Sequence, residues 1–375
     1  MSNNQDFILN NAIEVGKDTK VTLGTITSGT VDLSTGNYFA ETLAADTTYV
    51  FSNPGDVQSF QLEVTGGVAG YDITSGVYSS KSLSVTTQST TPLGMAFKPD
   101  GTKLYIAEYT NATIFEYSLS TAWDISTATY SGTSLVVSTN TYPVGMYFKD
   151  DGSTLYLTDL VGIHVDQYSL STAWDITSAS YVQAFSVTAQ DTGPVGVSFK
   201  NDGTKMFVMG QSGDEVIEYA LSTAWDISTA SYTQSFFVTA QAVLPRGFFF
   251  HPDGTSFFVA DDTTDTIYRY DMTTSWDIST AYINGSLSVS SQISSARTLL
   301  FNTDGTILYV LCSTNDAVYQ YGMTSNATPT WPASVEWNSG TAPDAPAAGE
   351  TDVYTFVTDD SGTTYIGLQT ADAVS

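Results

Sequence analysis

The phrase STAWDIST, or a close variant, occurs four times, around Trp123, Trp174, Trp225 and Trp276, each tryptophan 51 residues after the last. Tyr117, Tyr168, Tyr219, Tyr270 and Tyr321 keep the same step, as do Gly101, Gly152, Gly203, Gly254 and Gly305 of five Asp-Gly turns. Copies held in register without an insertion require one supersecondary unit used repeatedly. A period near 50 with strand-like content points to a propeller or another radial array. Thr, Ser, Val and Tyr, which favour strands and turns over helices, dominate the units. The expected fold class is all-β.

Each unit reads as four strands. In the third complete copy these are Val195–Phe199, Lys205–Met209, Glu215–Leu221 and Ser231–Val238, with Asn201-Asp202-Gly203 between the first two and STAWDISTAS before the last. An Asp-Gly turn between strands is a strong hairpin signal. The Pro-x-Gly that opens each first strand (Pro92, Pro143, Pro194, Pro245) suits a crossing toward the centre, where glycine permits close backbone approach. The array enters with a lone fourth strand, about Gly76–Val85, and ends near Tyr321 after a unit of only three. Joining those ends would complete a blade and remove the exposed sheet edges. Residues 69–325 are therefore predicted to form a five-bladed β-propeller with 51-residue repeats, closed by strand exchange between its two ends.

The flanks do not repeat. Ala12–Val15, Lys20–Thr27, Thr47–Phe51 and Ser59–Val64 read as short strands before the array, and Thr330–Trp337, Asp352–Thr358 and Thr363–Leu368 after it. Neither flank is large enough for a stable core alone. Ring closure would bring them together, so the sequence predicts a discontinuous β-sandwich, 1–68 plus 326–375, with the propeller inserted.

The formal charge of −28, with 11 basic against 39 acidic residues, argues against nucleic-acid phosphates and anionic membranes as partners. Cys312 is the one cysteine, which excludes an intrachain disulfide and a multi-thiolate zinc site. SNNQDFILNN after Met1 has neither a basic nor an apolar segment, so no signal peptide and no membrane insertion are expected.

Trp123, Trp174, Trp225 and Trp276 could stack sugars. Their identity in every copy suits a structural role better, with Asp124, Asp175, Asp226 and Asp277 capping a turn. The Asp-Gly turns offer about one carboxylate each, too few for calcium. The position after the second strand varies, running Glu108, Asp159, Gly210, Asp261, Cys312, and variation on a constant frame is what a binding surface looks like. Glu108, Asp159 and Asp261 are therefore candidate ligand contacts. Asp261, Asp262 and Asp265 form the densest carboxylate cluster and the candidate cation site, with calcium as the ion and no other cofactor expected. Arg246 and Arg297 stand where earlier copies have Leu93, Val144 and Val195. Such a pair grips an anionic group or pairs with nearby Asp. His164 and His251 are the only histidines, and no G-x-S-x-G, HExxH or phosphate loop occurs. No catalytic residue is assigned, although two carboxylates across a funnel could cleave a glycosidic bond.

The unit beginning PLGMAFKPDGTKLYI (Pro92–Ile106) resembles propeller repeats of marine phage and bacterial proteins, related in layout to NHL-type propellers. Val31–Gly66, together with TWPASVEW, DVYTF and GTTYIGL, resembles a module of tailed-phage virion proteins. The resemblance implies a non-catalytic virion structural protein of tail-fibre type, assembled in the host cytoplasm and homo-oligomeric. Its sandwich would dock to other capsid or tail proteins, and its propeller would bind a host surface glycan. The alternatives are a head decoration protein without ligand and a glycan hydrolase or lyase.

Overall fold

A computed structural model describes residues 22–43, 46–67, 70–137, 139, 142–324, 327–347 and 349–374. The chain divides into two units, Met1–Gly70 with Ser325–Ser375, and Tyr71–Thr324. The predicted strand Ala12–Val15 and the start of Lys20–Thr27 lie outside the described residues.

Tyr71–Thr324 is built from five four-stranded antiparallel sheets. Sheet one comprises Pro92–Phe97, Lys103–Glu108, Thr113–Leu119 and Ala128–Val136; sheets two, three and four repeat it from Pro143, Pro194 and Pro245. Sheet five takes Ala296–Phe301, Ile307–Cys312 and Ala317–Gly322 from the end of the array, and its fourth strand, Val77–Ser84, from the beginning. That strand pairs antiparallel with Ala317–Gly322, Ser84 opposite Ala317 and Val77 opposite Gly322. The first strands contact their neighbours in a closed cycle from sheet one through sheet five and back. The fold is an all-β propeller.

Burial follows each strand's place in the sheet. Second strands such as Leu104–Glu108 are buried on both faces, so they read as continuous apolar runs. Fourth strands alternate, and their outward side exposes residues such as Tyr181 and Tyr232. Between sheets, the phenylalanine near the end of each first strand packs on an aromatic of the preceding second strand. Phe148 meets Tyr105 at 4.8 Å between ring centroids, Phe199 meets Tyr156 at 4.3 Å and Phe250 meets Phe207 at 4.3 Å. Phe97 on Tyr309, at 4.6 Å, joins sheet one to sheet five.

The connector tryptophans lock these joints. Each has a left-handed backbone, φ 61° to 67°, and Tyr71 takes the equivalent place at 62°. That conformation is unfavourable for an aromatic residue, so its surroundings must hold it. The Trp225 N–H donates to the Gly203 carbonyl, and its ring lies flat on that glycine, where a Cβ would sit 2.4 Å from the indole. The tryptophan carbonyl accepts from the sheet before: from Tyr105 at Trp174 (2.7 Å), Tyr156 at Trp225 (2.6 Å) and Tyr309 at Trp123. Where the tyrosine is replaced by Phe207 or Phe258, Lys205 donates to Trp276 and Arg269 to Tyr71 instead. The following aspartate caps a 3-10 turn, as Asp226 does by accepting from the Ser228 amide.

The discontinuous unit has a five-stranded sheet ordered Val335–Trp337, Tyr365–Val374, Thr351–Thr358, Gln58–Thr65, Tyr38–Thr42, which pairs the two flanks of the chain. A three-stranded sheet (Thr25–Thr27, Thr30–Asp32, Val50–Ser52) and a two-stranded pair (Thr47–Thr48, Pro329–Thr330) complete it. Its core is Phe39, Phe60, Leu62, Val64, Tyr354 and Phe356 with their neighbours.

Candidate functional site

The first strands run between two different surroundings, and glycines separate them. Gly94, Gly145, Gly196 and Gly247 occupy equivalent positions, with Thr298 in the fifth copy. A Cβ at Gly94 would lie 2.2 Å from the Val144 carbonyl oxygen, one at Gly145 would lie 2.6 Å from Gly196 Cα, and one at Gly247 would lie 2.6 Å from the Arg297 carbonyl oxygen. The strands crowd together here as only glycine allows.

One residue before this pinch, sheets four and five place Arg246 and Arg297. Both reach Asp262: Arg246 Nε donates to Oδ2 at 3.1 Å, and Arg297 Nη1 lies 3.2 Å from the same oxygen. Ser295 Oγ donates to Asp262 Oδ1 at 2.7 Å, Arg297 Nε donates to Ser313 Oγ at 2.7 Å, and Arg246 Nη1 donates to Gln211 Oε1. Two guanidiniums thus share one carboxylate, and Asp265 lies within electrostatic reach of Asp262 and Asp261. Burial lowers the pKa of Arg297, Asp262 opposes that shift, and Arg246 adds to it. An anion arriving here would relieve the repulsion between the two cations. Leu93, Tyr109 and Leu160 pack with Val144 and Val195, so apolar side chains take the corresponding places on the earlier sheets.

The sequence-predicted acidic residues divide by what holds them. Glu108 is buried and accepts from the Thr110 and Asn111 amides (3.0 and 2.5 Å) and from Thr91 Oγ1 (2.6 Å). Asp159 is buried and accepts from the Val161 and Gly162 amides (2.9 and 2.8 Å). Asp261, also buried, accepts from the Leu244 and Thr264 amides, both at 2.9 Å. These three carboxylates hold their own loops in shape. In sheet three, where Gly210 stands at this position, Asp191 fills the space and accepts from the Gly193 and Gly213 amides (2.5 and 2.7 Å). The proposed cation cluster also comes apart. Asp261 holds its loop, Asp262 holds the arginines, and Asp265 Oδ1 accepts from the Ala296 amide at 3.1 Å. No group of three or more His, Cys, Asp or Glu among the described residues is disposed to hold a metal.

The histidines sit elsewhere. His164 Nε2 is 3.1 Å from the buried Asp166 Oδ1. That hydrogen bond, with a smaller contribution from Asp159, pushes the imidazole pKa up to about 9 against the opposing effect of burial. His251 lies in the fourth Asp-Gly turn, 2.5 Å from Asp253 Oδ1, and burial lowers its pKa.

Past the glycine pinch the first strands enclose a cavity of 490 Å³. Its walls include the constant phenylalanines of the first strands, and Trp123, Trp174, Trp276 and Tyr71 border it. Arg246 and Arg297 do not line this cavity, whose lining reaches back to the pinch at Gly145, Gly196 and Gly247 and to Val195, which holds the position equivalent to Arg246. Sequence reasoning missed the cavity because much of its lining comes from constant aromatic and glycine positions that read as joints between sheets.

The family model described as lactonase, a seven-bladed β-propeller, matches residues 13–326. The chain belongs to this lactonase family. Membership corrects the phage reading, and with it the virion location, the tail or capsid role and the non-catalytic assignment, all of which rested on the resemblance of the repeat and flanks. The family is described with seven blades where the repeat alone gave five. Among the described residues, five four-stranded sheets belong to the repeat array, and two further sheets of three or more strands lie in the discontinuous unit.

No curated protein matches the chain. Among solved structures, a protein of Bacteroides uniformis named as a candidate 6-phosphogluconolactonase shares 17% identity at a TM-score of 0.40, covering 61% of this chain and 65% of that one. The periplasmic gluconolactonase of Pseudomonas aeruginosa shares 17% identity at a TM-score of 0.36, covering 53% and 54%. A functionally unknown protein of Desulfotomaculum acetoxidans shares 11% at 0.39, covering 75% and 89%. The chain spans less than two thirds of the first two, and likeness at this level carries no argument about activity.

Proposed function

We propose that the chain is a lactone-hydrolysing enzyme whose reaction site is the arginine end of the propeller. The observation that carries this reading is the pair Arg246 and Arg297 sharing the single carboxylate of Asp262. Hydrolysis adds water to the ring carbonyl, forms an oxyanion, and expels the ring alkoxide to leave a hydroxyl and a carboxylate. Guanidiniums already positioned stabilise both the oxyanion and the product carboxylate. Water must lose a proton as it attacks. Asp265 beside the pair suits that task, because burial, Asp262 and Asp261 raise its pKa. The paired guanidiniums also suit a substrate that carries a phosphate, such as a phosphorylated sugar lactone.

The test is proton release from glucono-1,5-lactone and from its 6-phosphate by the purified chain, against the spontaneous rate in buffer. Saturable hydrolysis with preference for the phosphorylated lactone is expected. A rate equal to buffer for both removes the reading. For the organisation of the chain we further propose that the discontinuous unit is a β-sandwich carrying the propeller as an insertion. The pairing of Gln58–Thr65 with Thr351–Thr358 supports this.

A further inference from the structure

The cavity beyond the glycine pinch is made by five copies of one strand, yet the copies differ. At the position before the constant phenylalanine the five copies carry Ala96, Tyr147, Ser198, Phe249 and Leu300. At the position before the Asp of each turn, Asp150, Asn201 and Thr303 stand in sheets two, three and five, where sheets one and four have Pro99 and Pro252. Polar groups therefore stand on sheets two, three and five, with Thr298 and Asn302 beside Thr303, and Asp150 is the one charged residue among the lining residues.

Three of those polar groups lack a protein partner. Among the described residues, no hydrogen bond engages the Tyr147 hydroxyl, the Ser198 hydroxyl or the Asp150 carboxylate, whereas the neighbouring Asp151 is paired with Lys149 at 2.7 Å. Tyr147 and Asp150 interact electrostatically, and burial with the Asp151 charge raises the Asp150 pKa. Asp150 is exposed at this wall, so its carboxylate is open to something that enters. The volume of 490 Å³ falls within the roughly 300–1,000 Å³ of small-molecule sites.

We propose that this cavity is a second ligand site, for a small arylalkyl primary amine whose ring lies among the phenylalanines and whose ammonium faces Asp150, Tyr147 and Ser198. A primary ammonium carries three donors and no acceptor, which suits a carboxylate and two hydroxyls. Aromatic walls add cation–π attraction, and the acidic chain draws cations toward its surface. An anionic lactone is repelled by the same carboxylate, so the two ends of the propeller select opposite charges.

Binding of three indoles of similar size to the full chain at pH 7, followed by titration calorimetry, tests this: tryptamine, 3-methylindole and indole-3-propionate. Tryptamine is expected to saturate one site at least about tenfold more tightly than the other two. Asp150→Asn should lower tryptamine affinity about tenfold and leave 3-methylindole unchanged, and Tyr147→Phe, which keeps the ring, should lower it about threefold. Asp151→Asn serves as the control and should leave tryptamine binding unaltered. Equal affinities for the three indoles, no saturable tryptamine binding, or an Asp150→Asn protein that folds and binds tryptamine like the parent overturns the proposal. Loss of tryptamine binding in an Arg246→Met, Arg297→Met double variant also overturns it, by placing the amine at the other end.

Discussion

The two ends of the first strands come from one repeat and have been used in opposite ways. At the Asp-Gly end every copy presents the same parts: a glycine with positive φ, an aromatic ring laid on it, and a carbonyl held by the neighbouring sheet. At the Pro-x-Gly end only two copies carry arginine, and the carboxylate between them has no counterpart in the other sheets. Repetition marks the joints of the propeller, and departure from repetition marks where its sheets do something different. The cavity obeys the same rule, since its constant phenylalanines build the wall and its variable positions give the wall polar groups.

Changes at the two ends should separate stability from activity. Gly203→Val asks a β-branched residue to adopt φ +72° with a Cβ 2.4 Å from the Trp225 ring. Left-handed strain of about 1–2 kcal/mol and overpacking of about 1–3 kcal/mol should together remove about 2–5 kcal/mol of stability. Chemical denaturation measures this, and a loss below about 1 kcal/mol would break the view of that end as joinery. Asp262→Asn leaves Arg246 and Arg297 facing each other without their carboxylate. These groups keep some exposure, 11% for the Asp262 side chain and 20–22% for the arginines. The loss should therefore be about 1–3 kcal/mol, below that of a fully buried pair, with lactone turnover falling more steeply than the melting temperature. If stability and turnover fall in proportion, the arginine end is joinery too.

The smallest effect is a pH dependence. His164 has a folded pKa of about 9, above its ordinary 6.5, because its imidazolium is held by Asp166. A raised pKa contributes stability that is complete below about pH 6.5 and is lost as pH rises toward 9. Because the imidazole is partly solvated, the contribution should be on the order of 1 kcal/mol. Melting temperature should decline across that window, and His164→Gln should flatten the decline. Sheet two carries this switch and sheet four does not, so turnover at the arginines should not follow it.

Much of the fold is readable because its signals are local. A glycine at fixed spacing needs positive φ, and an Asp after each tryptophan finds amide donors two residues on, whatever the rest of the chain does. Pro-x-Gly marked the crowded centre for the same reason. The acidic positions were less readable. Glu108, Asp159 and Asp261 vary between copies, which suggested ligand contacts, but a carboxylate at the end of a strand followed by a tight loop meets that loop's amides first. Asp191 shows that the requirement is structural, since it supplies from another loop the carboxylate that Gly210 lacks. Asp262 was placed with a cation although two arginines reach it, because the residues are 16 and 35 apart in sequence and only the sheet geometry brings them together. The family was not readable from the repeat, since a period reports a layout that many activities share.

The most direct test of the central claim is the kcat/KM of an Arg246→Met, Arg297→Met double variant on the 6-phosphate of glucono-1,5-lactone, beside the parent chain. The account gives a fall of about 100-fold or more, the scale of a lost oxyanion donor, with tryptamine binding at the other end unchanged. A parent chain that turns the lactone over, with a folded double variant that matches it, would contradict the assignment of the arginine end.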